Sequence, residues 1–210
     1  MRDFRLIETM RVSESGEVFL LERHLERLRN SSRYFSFKYD SNRVRDAIVE
    51  AAPRRAACLR LLLSEDGALD LQTQPLPGGH AGQLMLSTVR VNSKDPFLYH
   101  KTTNRGISEQ ARQECDENTD AILINERGEI TETTITNLAV FRDDHWITPA
   151  LSCGLLPGVL RAEMLARGEI IEGIIPAEDL HSGEVIRSFN ALRGIMDVRF
   201  RSLPRSGERM

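Results

Sequence analysis

The sequence predicts an α+β protein of two lobes, and three observations carry that prediction. Strand-like alternation recurs in both halves of the chain, amphipathic helical stretches are interleaved with it, and one segment, Pro75-Leu76-Pro77-Gly78-Gly79-His80-Ala81-Gly82, breaks the pattern as a linker. The division it implies is a smaller α/β lobe over residues 1–80 and a larger lobe over residues 81–210.

Phe4 to Val12 reads as a strand, with near-alternation around Leu6, Glu8 and Met10, and Val18-Phe19-Leu20-Leu21 as a second after the turn at Ser13 to Glu17. Glu22 to Phe35 is an amphipathic helix with Leu21, Leu25, Leu28 and Ser32 along one face. Asn42 to Ala52 is another, capped by Ser41 or Asn42 and stopped by Pro53. Ala57 to Ser64 and Leu69 to Pro75 form a hairpin around Glu65-Asp66-Gly67. Beyond the linker, Gln83 to Val91 is a strand, 92–105 is irregular and Gly106 to Asn118 is a helix. Four short strands follow at Ala121–Asn125, Ile130–Thr134, Leu138–Phe141 and Trp146–Thr148. Gly158 to Gly168 is a helix entered by Leu156-Pro157, Glu169 to Ile174 a strand, and Pro176 to Leu180 a helical turn. Strands at Glu184–Ser188 and Ile195–Phe200 flank Asn190-Ala191-Leu192-Arg193-Gly194.

Composition removes several function classes. With 28 Lys+Arg against 31 Asp+Glu and no basic stripe, nucleic acid is not expected as a partner. The apolar runs, such as Cys58 to Leu63 with Arg60 inside it, are too short to cross a bilayer, so no membrane is expected either. The opening residues lack the apolar region of a secretion signal, and three widely separated cysteines (Cys58, Cys115, Cys153) match no zinc spacing. The expectation is a cytoplasmic protein without a metal site.

Lys101 stands out. The chain has only three lysines (Lys38, Lys94, Lys101), and this one lies in a polar run with neither helical nor strand period. A desolvated lysine can lose its proton and attack a carbonyl, which an arginine cannot do; the plainer alternative is a solvated loop lysine. Arg127 to Asn137 carries Glu129 and Glu132 beside a turn. A carboxylate facing a pyridine-type nitrogen keeps it protonated. Glu129 reads as a surface hairpin charge, whereas Glu132 sits among Thr131, Thr133 and Thr134, which can hydrogen-bond a buried carboxylate. Leu155 to Arg161 opens a helix with Pro157 and Gly158, leaving free amides suited to a phosphate. Asn190 to Gly194 offers amides and a side-chain amide to a ligand, or is an ordinary turn; Arg27 on the first helix reads by itself as a solvated arginine.

Six segments in this order resemble one family: Ile-Glu-Thr-Met at Ile7, His-Leu-Glu-Arg-Leu at His24, Lys-Thr-Thr-Asn-Arg at Lys101, Glu-Thr-Thr-Ile-Thr-Asn at Glu132, Leu-Pro-Gly-Val-Leu-Arg at Leu156 and Asn-Ala-Leu-Arg-Gly at Asn190. From Phe4 to about Arg199 the chain is similar to the class IV aminotransferases, the fold type IV pyridoxal-phosphate enzymes with the D-amino acid aminotransferase architecture. The resemblance implies pyridoxal 5'-phosphate as cofactor, carried covalently by Lys101, with Glu132 on its pyridine nitrogen. It puts Arg27, the amides of Val159 and Leu160, and Asn190 on the phosphate, makes Asn137 a brace for the glutamate, and sets Thr9 on the substrate side as a second catalytic group. Arg105 and Arg193 become candidates for substrate binding.

Within the family, the Lys101 and Asn190 segments look most like the lyase branch that cleaves 4-amino-4-deoxychorismate to 4-aminobenzoate and pyruvate in folate synthesis. The alternative is an aminotransferase on branched-chain or D-amino acids. The resemblance further implies a homodimer, with an aminodeoxychorismate synthase as pathway partner. Three departures are visible. The N-terminus is short, starting almost at the Ile-Glu-Thr-Met segment without the family's usual Asn-Gly strand before it. Leu160 replaces a frequent threonine. No tyrosine follows Lys101, where Gly106, Ile107 and Ser108 stand, which argues against the branched-chain enzymes.

Overall fold

Two sheets organise the protein, whose computed structural model describes residues 4–78 and 81–202. The first has three antiparallel strands, β1 (Leu6–Val12), β2 (Ala57–Leu63) and β3 (Leu69–Gln74), in that spatial order. Alternation along β1 turns Leu6 and Met10 to one face, where both are fully buried beneath two helices, α1 (Leu21–Phe35) and α2 (Ser41–Ala51). Leu25 and Leu28 of α1, Ile48 of α2, and Leu59, Leu61 and Leu63 of β2 complete that core. The face opposite carries Ile7 and Thr9, with Thr9 standing directly across from Arg60 of β2.

The second sheet has eight strands: β4 (Gln83–Val91), β5 (Thr119–Asn125), β6 (Ile130–Thr133), β7 (Asn137–Arg142), β8 (His145–Pro149), β9 (Ile171–Gly173), β10 (Val185–Asn190) and β11 (Gly194–Phe200). Their order in space is β6-β5-β4-β11-β10-β7-β8-β9. The sheet is mixed: β4 runs parallel to both β5 and β11, and β8 to β9, while the hairpins are antiparallel. One core, with Leu84, Ile122, Leu138, Ile186 and Val198, fills one side of it. On the other, α4 (Val159–Ala166) packs Val159, Leu160 and Met164 against Ala139 and Phe189. A short helix, α3 (Gly106–Arg112), lies against β4 and β5.

Four boundaries differ from the sequence expectation. Val18 to Leu21 is no strand: Val18 makes one bridge to Val12, Leu20 turns left-handed at φ 53°, and Leu21 already begins α1 because Leu21, Leu25 and Leu28 share its buried side. The cap of α2 is Asp40, whose carboxylate accepts from the amides of Asn42 and Arg43 at 3.0 Å each. Helix α3 stops at Arg112 rather than running to Asn118. The Glu114 carboxylate is drawn to Ser87 and Thr88, and Asp116 folds back onto the amide of Asn118 and the hydroxyl of Thr119. The strand expected at Glu169–Ile174 is only Ile171–Gly173. Gly79 and His80 of the expected linker lie outside the described residues.

Candidate active site at the junction of the two sheets

Lys101 is laid against β1. The amide of Ile7 donates to the Lys101 carbonyl at 2.8 Å, Leu6 bridges Thr102, and the amide of Thr103 donates to the Arg5 carbonyl at 2.9 Å. This strap explains why the segment shows no helical or strand period of its own. Lys101 and Thr9 both line a cavity of about 360 Å³ between the two sheets. Desolvation, reinforced by the nearby charges of Arg27 and Arg105, pulls the Lys101 amine down to about 8 against the partial opposition of Glu8 and Glu132. A free amine is thus accessible near neutrality, as nucleophilic attack requires.

One end of the cavity is built by α1, β1 and the start of α4. The Arg27 guanidinium donates from Nε to one oxygen of Glu8 at 2.9 Å and from Nη2 to the other at 2.7 Å. Its Nη1 lies 3.4 Å from the Pro157 carbonyl, just before α4. Glu8 therefore occupies the Nε/Nη2 edge and leaves the Nη1/Nη2 edge, the one suited to bidentate recognition of a phosphate, toward the first turn of α4. That turn is entered through Gly158, which supplies no side-chain cap, so its leading amides keep their donors for another acceptor. Glycine at 158 leaves room for Asn137: a Cβ there would stand 1.9 Å from the Asn137 Oδ1 and would push that side chain aside.

Asn137 links this end to the acid. Its Nδ2 donates to Glu132 Oε2 at 3.1 Å and to the Leu156 carbonyl at 3.0 Å, while the Leu156 amide donates to Glu132 Oε1 at 3.2 Å. Burial raises Glu132 to about 8, outweighing the Leu156 amide and the charges of Lys101, Arg105 and Arg161 that favour its ionised form. A carboxyl in that state gains most by meeting a basic nitrogen, with which it can share a proton.

The remaining wall is cationic. Arg60, Arg105 and Arg193 all line the cavity together with His100, Asp95 and the turn at Asn190. Arg105 is anchored by a bond from Nη2 to the Thr134 carbonyl at 2.8 Å, and Arg193 reaches the Gly78 carbonyl at 3.1 Å.

The family model for amino-transferase class IV matches residues 5–200. The chain belongs to the class IV aminotransferase family. It is 32% identical to a provisionally assigned aminodeoxychorismate lyase of Schizosaccharomyces pombe, covering 93% of this chain and 89% of that one. Among solved structures it resembles a provisionally assigned amino-acid aminotransferase of Mesorhizobium loti at 38% identity and a TM-score of 0.85, covering 96% of this chain and 100% of that one. The 4-amino-4-deoxychorismate lyase of Pseudomonas aeruginosa shares the fold, with a TM-score of 0.81 at 22% identity over 94% of this chain and 83% of that one. The protein is thus an enzyme of the pyridoxal-phosphate-dependent class IV family, whose members include aminotransferases and lyases.

The residues present fit the family's cofactor. An amine of depressed basicity, a carboxyl awaiting a basic nitrogen, a half-free guanidinium edge and an uncapped helix start surround one cavity. Thr9, Arg27, Lys101, Arg105, Glu132, Asn137, Val159, Asn190 and Arg193 all reach it. Leu160 does not: its side chain is 8% exposed and packs in the core under α4, leaving only its amide at the helix start. The side chain of Asn190 donates to the Ile135 carbonyl and accepts from the amides of Leu192 and Arg193, which shapes the turn at the cavity.

The threonines around Glu132 also have other duties. Thr131 bonds the Leu123 carbonyl, Thr133 bonds Thr136, and Thr134 bonds Asp120, so the carboxyl is held by Asn137 and the Leu156 amide. Glu129 is no loose surface charge; Asn125 and Arg127 grip it at 2.8 and 2.7 Å, away from the cavity. Sequence reasoning gave no role to Glu8, His24 or Arg60. The signal for two of them was there: Glu8 is a carboxylate between Leu6 and Met10 on a core-facing stripe, and Arg60 is the single charge inside an apolar strand.

Proposed function

We propose that the enzyme is a pyridoxal-phosphate-dependent lyase that converts 4-amino-4-deoxychorismate to 4-aminobenzoate and pyruvate. The observation that carries this reading is the trio Arg60, Arg105 and Arg193 on the cavity wall, with Thr9 directly across from Arg60. A substrate with two carboxylates matches that wall, whereas a branched aliphatic side chain would bury charge without answering it. The likeness to the Schizosaccharomyces pombe protein supports the same reaction.

When bound, pyridoxal phosphate supplies an electron sink conjugated to the substrate amine. In this reading Arg27 and the α4 amides would hold its phosphate, Lys101 would be its covalent anchor, and Glu132 would keep its ring nitrogen protonated. The Lys101 amine would take the proton from the substrate carbon bearing nitrogen. As the neighbouring carbon–oxygen bond broke and the substrate ring became aromatic, that same proton would pass from Lys101, directly or through the Thr9 hydroxyl, to the departing enolpyruvate. The working form is a homodimer.

The test is stoichiometry. Incubated with 4-amino-4-deoxychorismate and no keto acid, the enzyme should release equal amounts of pyruvate and 4-aminobenzoate over many turnovers. A requirement for a keto acid would favour the second reading, an aminotransferase, which the 38% identity to the Mesorhizobium loti protein supports.

A further inference from the structure

Glu8 is 1% exposed and sits on the helix-facing side of β1 between Leu6 and Met10. A carboxylate that deep in an apolar layer is tolerated only with partners. It has two, three residues apart on α1: Arg27, held through both carboxylate oxygens, and His24, whose Nδ1 lies 2.6 Å from Glu8 Oε2. Burial alone would raise Glu8, but the Arg27 charge and the His24 hydrogen bond overcome it and bring the group to about 2. An ionised carboxylate can only accept, so Nδ1 of His24 carries the hydrogen. Nε2 of the same ring is buried with no partner among the described residues. The imidazole is thus tethered at one point, and that point is Glu8.

We propose that Glu8 is the positioning residue of the phosphate subsite: it locks Arg27 by the Nε/Nη2 edge so that the Nη1/Nη2 edge meets the cofactor phosphate, and His24 holds Glu8 in that pose. This rests on the pyridoxal-phosphate reading above. Arginine has a long side chain with many rotamers, and among the described residues the one other hydrogen bond on this guanidinium, to Pro157, is a stretched 3.4 Å. Without Glu8 nothing selects the edge that faces α4. An opposing effect exists, because Glu8 also cancels the Arg27 charge. If cancellation dominated, removing Glu8 would tighten a phosphate dianion; if orientation dominates, removal weakens it.

Two ligands separate these effects. Dissociation constants of pyridoxal phosphate and of pyridoxal, which lacks the phosphate, are measured on the apo forms of wild type, Glu8→Gln and Glu8→Asp. Glu8→Gln should weaken pyridoxal phosphate on the order of 10- to 100-fold, the range of a lost charge-assisted contact, while pyridoxal changes by less than about 2-fold. Glu8→Asp, which keeps the charge, should recover part of the loss. His24→Gln is the second route should Glu8→Gln fail to fold, with a smaller loss confined again to the phosphorylated ligand. Equal weakening of both ligands would make Glu8 merely structural, and unchanged or tighter pyridoxal phosphate would overturn the positioning role. If wild type binds neither ligand, the cofactor reading falls and this proposal with it; if wild type binds pyridoxal phosphate normally and only the variants are indifferent, Glu8 alone is misassigned.

Discussion

The two ends of the cavity are built on opposite plans. At the α1 end, Glu8, His24 and Arg27 are mutually hydrogen-bonded side chains, and Glu8 and His24 are each 1% exposed. At the far end, Arg105 and Arg193 donate to backbone carbonyls, and Arg60 stands on its strand opposite a hydroxyl. A cofactor is the same in every turnover, and a rigid cradle suits it. A substrate arrives and leaves changed, and long arginine side chains on separate elements can follow its charge. Preorganisation is concentrated where the ligand is constant.

Substitutions can break this contrast or sharpen it. The largest effect should come from neither end but from the amine between them. Lys101→Ala should cost at least ~10⁴-fold in turnover, as when a unit of covalent machinery is removed, and borohydride reduction of the wild-type holoenzyme should fix the cofactor to Lys101, which peptide mass mapping reads directly. Label on Lys38 or Lys94 would refute the assignment. Glu132→Gln should follow at about 10²-fold in kcat, in the range for one stabilising electrostatic contact, with the cofactor still bound.

Next come the two ends themselves. Arg27→Ala should raise the cofactor dissociation constant by roughly 10- to 100-fold, the worth of a charge-assisted pair, and leave the substrate KM of the saturated enzyme nearly unchanged. Arg60→Ala should do the reverse, raising KM about 10-fold with cofactor affinity intact, because the proposed lyase reading sets Arg60 against a substrate carboxylate. Identical profiles for the two variants would erase the distinction between the ends.

The smallest effect is on stability. Because Glu132 is raised from the ordinary carboxyl range to about 8, the apo protein holds a proton there that the unfolded chain releases. Its contribution therefore falls as pH climbs from about 4.5 to about 8 and is level above that. Apo Glu132→Gln should melt with wild type near pH 4.5 and several degrees above it at pH 9, as thermal scans across that range will show. A constant gap would mean the carboxyl titrates normally.

The sequence made much of this readable. Both hairpin-rich halves, the helix at Glu22–Phe35 and the irregular stretch bearing Lys101 all appear in the fold where the periodicity puts them. What escaped has physical causes. The end of α3 depends on Glu114 finding Ser87 and Thr88, residues 26 or more positions away in sequence, and no local pattern encodes that competition. The pairing of Glu8 with His24 and Arg27 joins a strand to a helix, so Arg27 read alone as a solvated side chain. The threonines beside Glu132 were the right residue types for holding a carboxyl but point along their own hairpin, because the strand's alternation and the 133–136 turn claim them first.

The strap of Lys101 along β1 has a thermodynamic consequence. Lys101, Thr9, Glu8 and Arg27 all ride on the three-stranded sheet or its helix, whereas Glu132, Asn137 and the start of α4 belong to the eight-stranded one. Any molecule gripped by both sets is a rivet between them. It binds only the assembled form and so stabilises it in proportion to the logarithm of its concentration over its dissociation constant. The cofactor is then as much a fastener as a reagent, and its departure should loosen the seam between the sheets before it loosens either sheet.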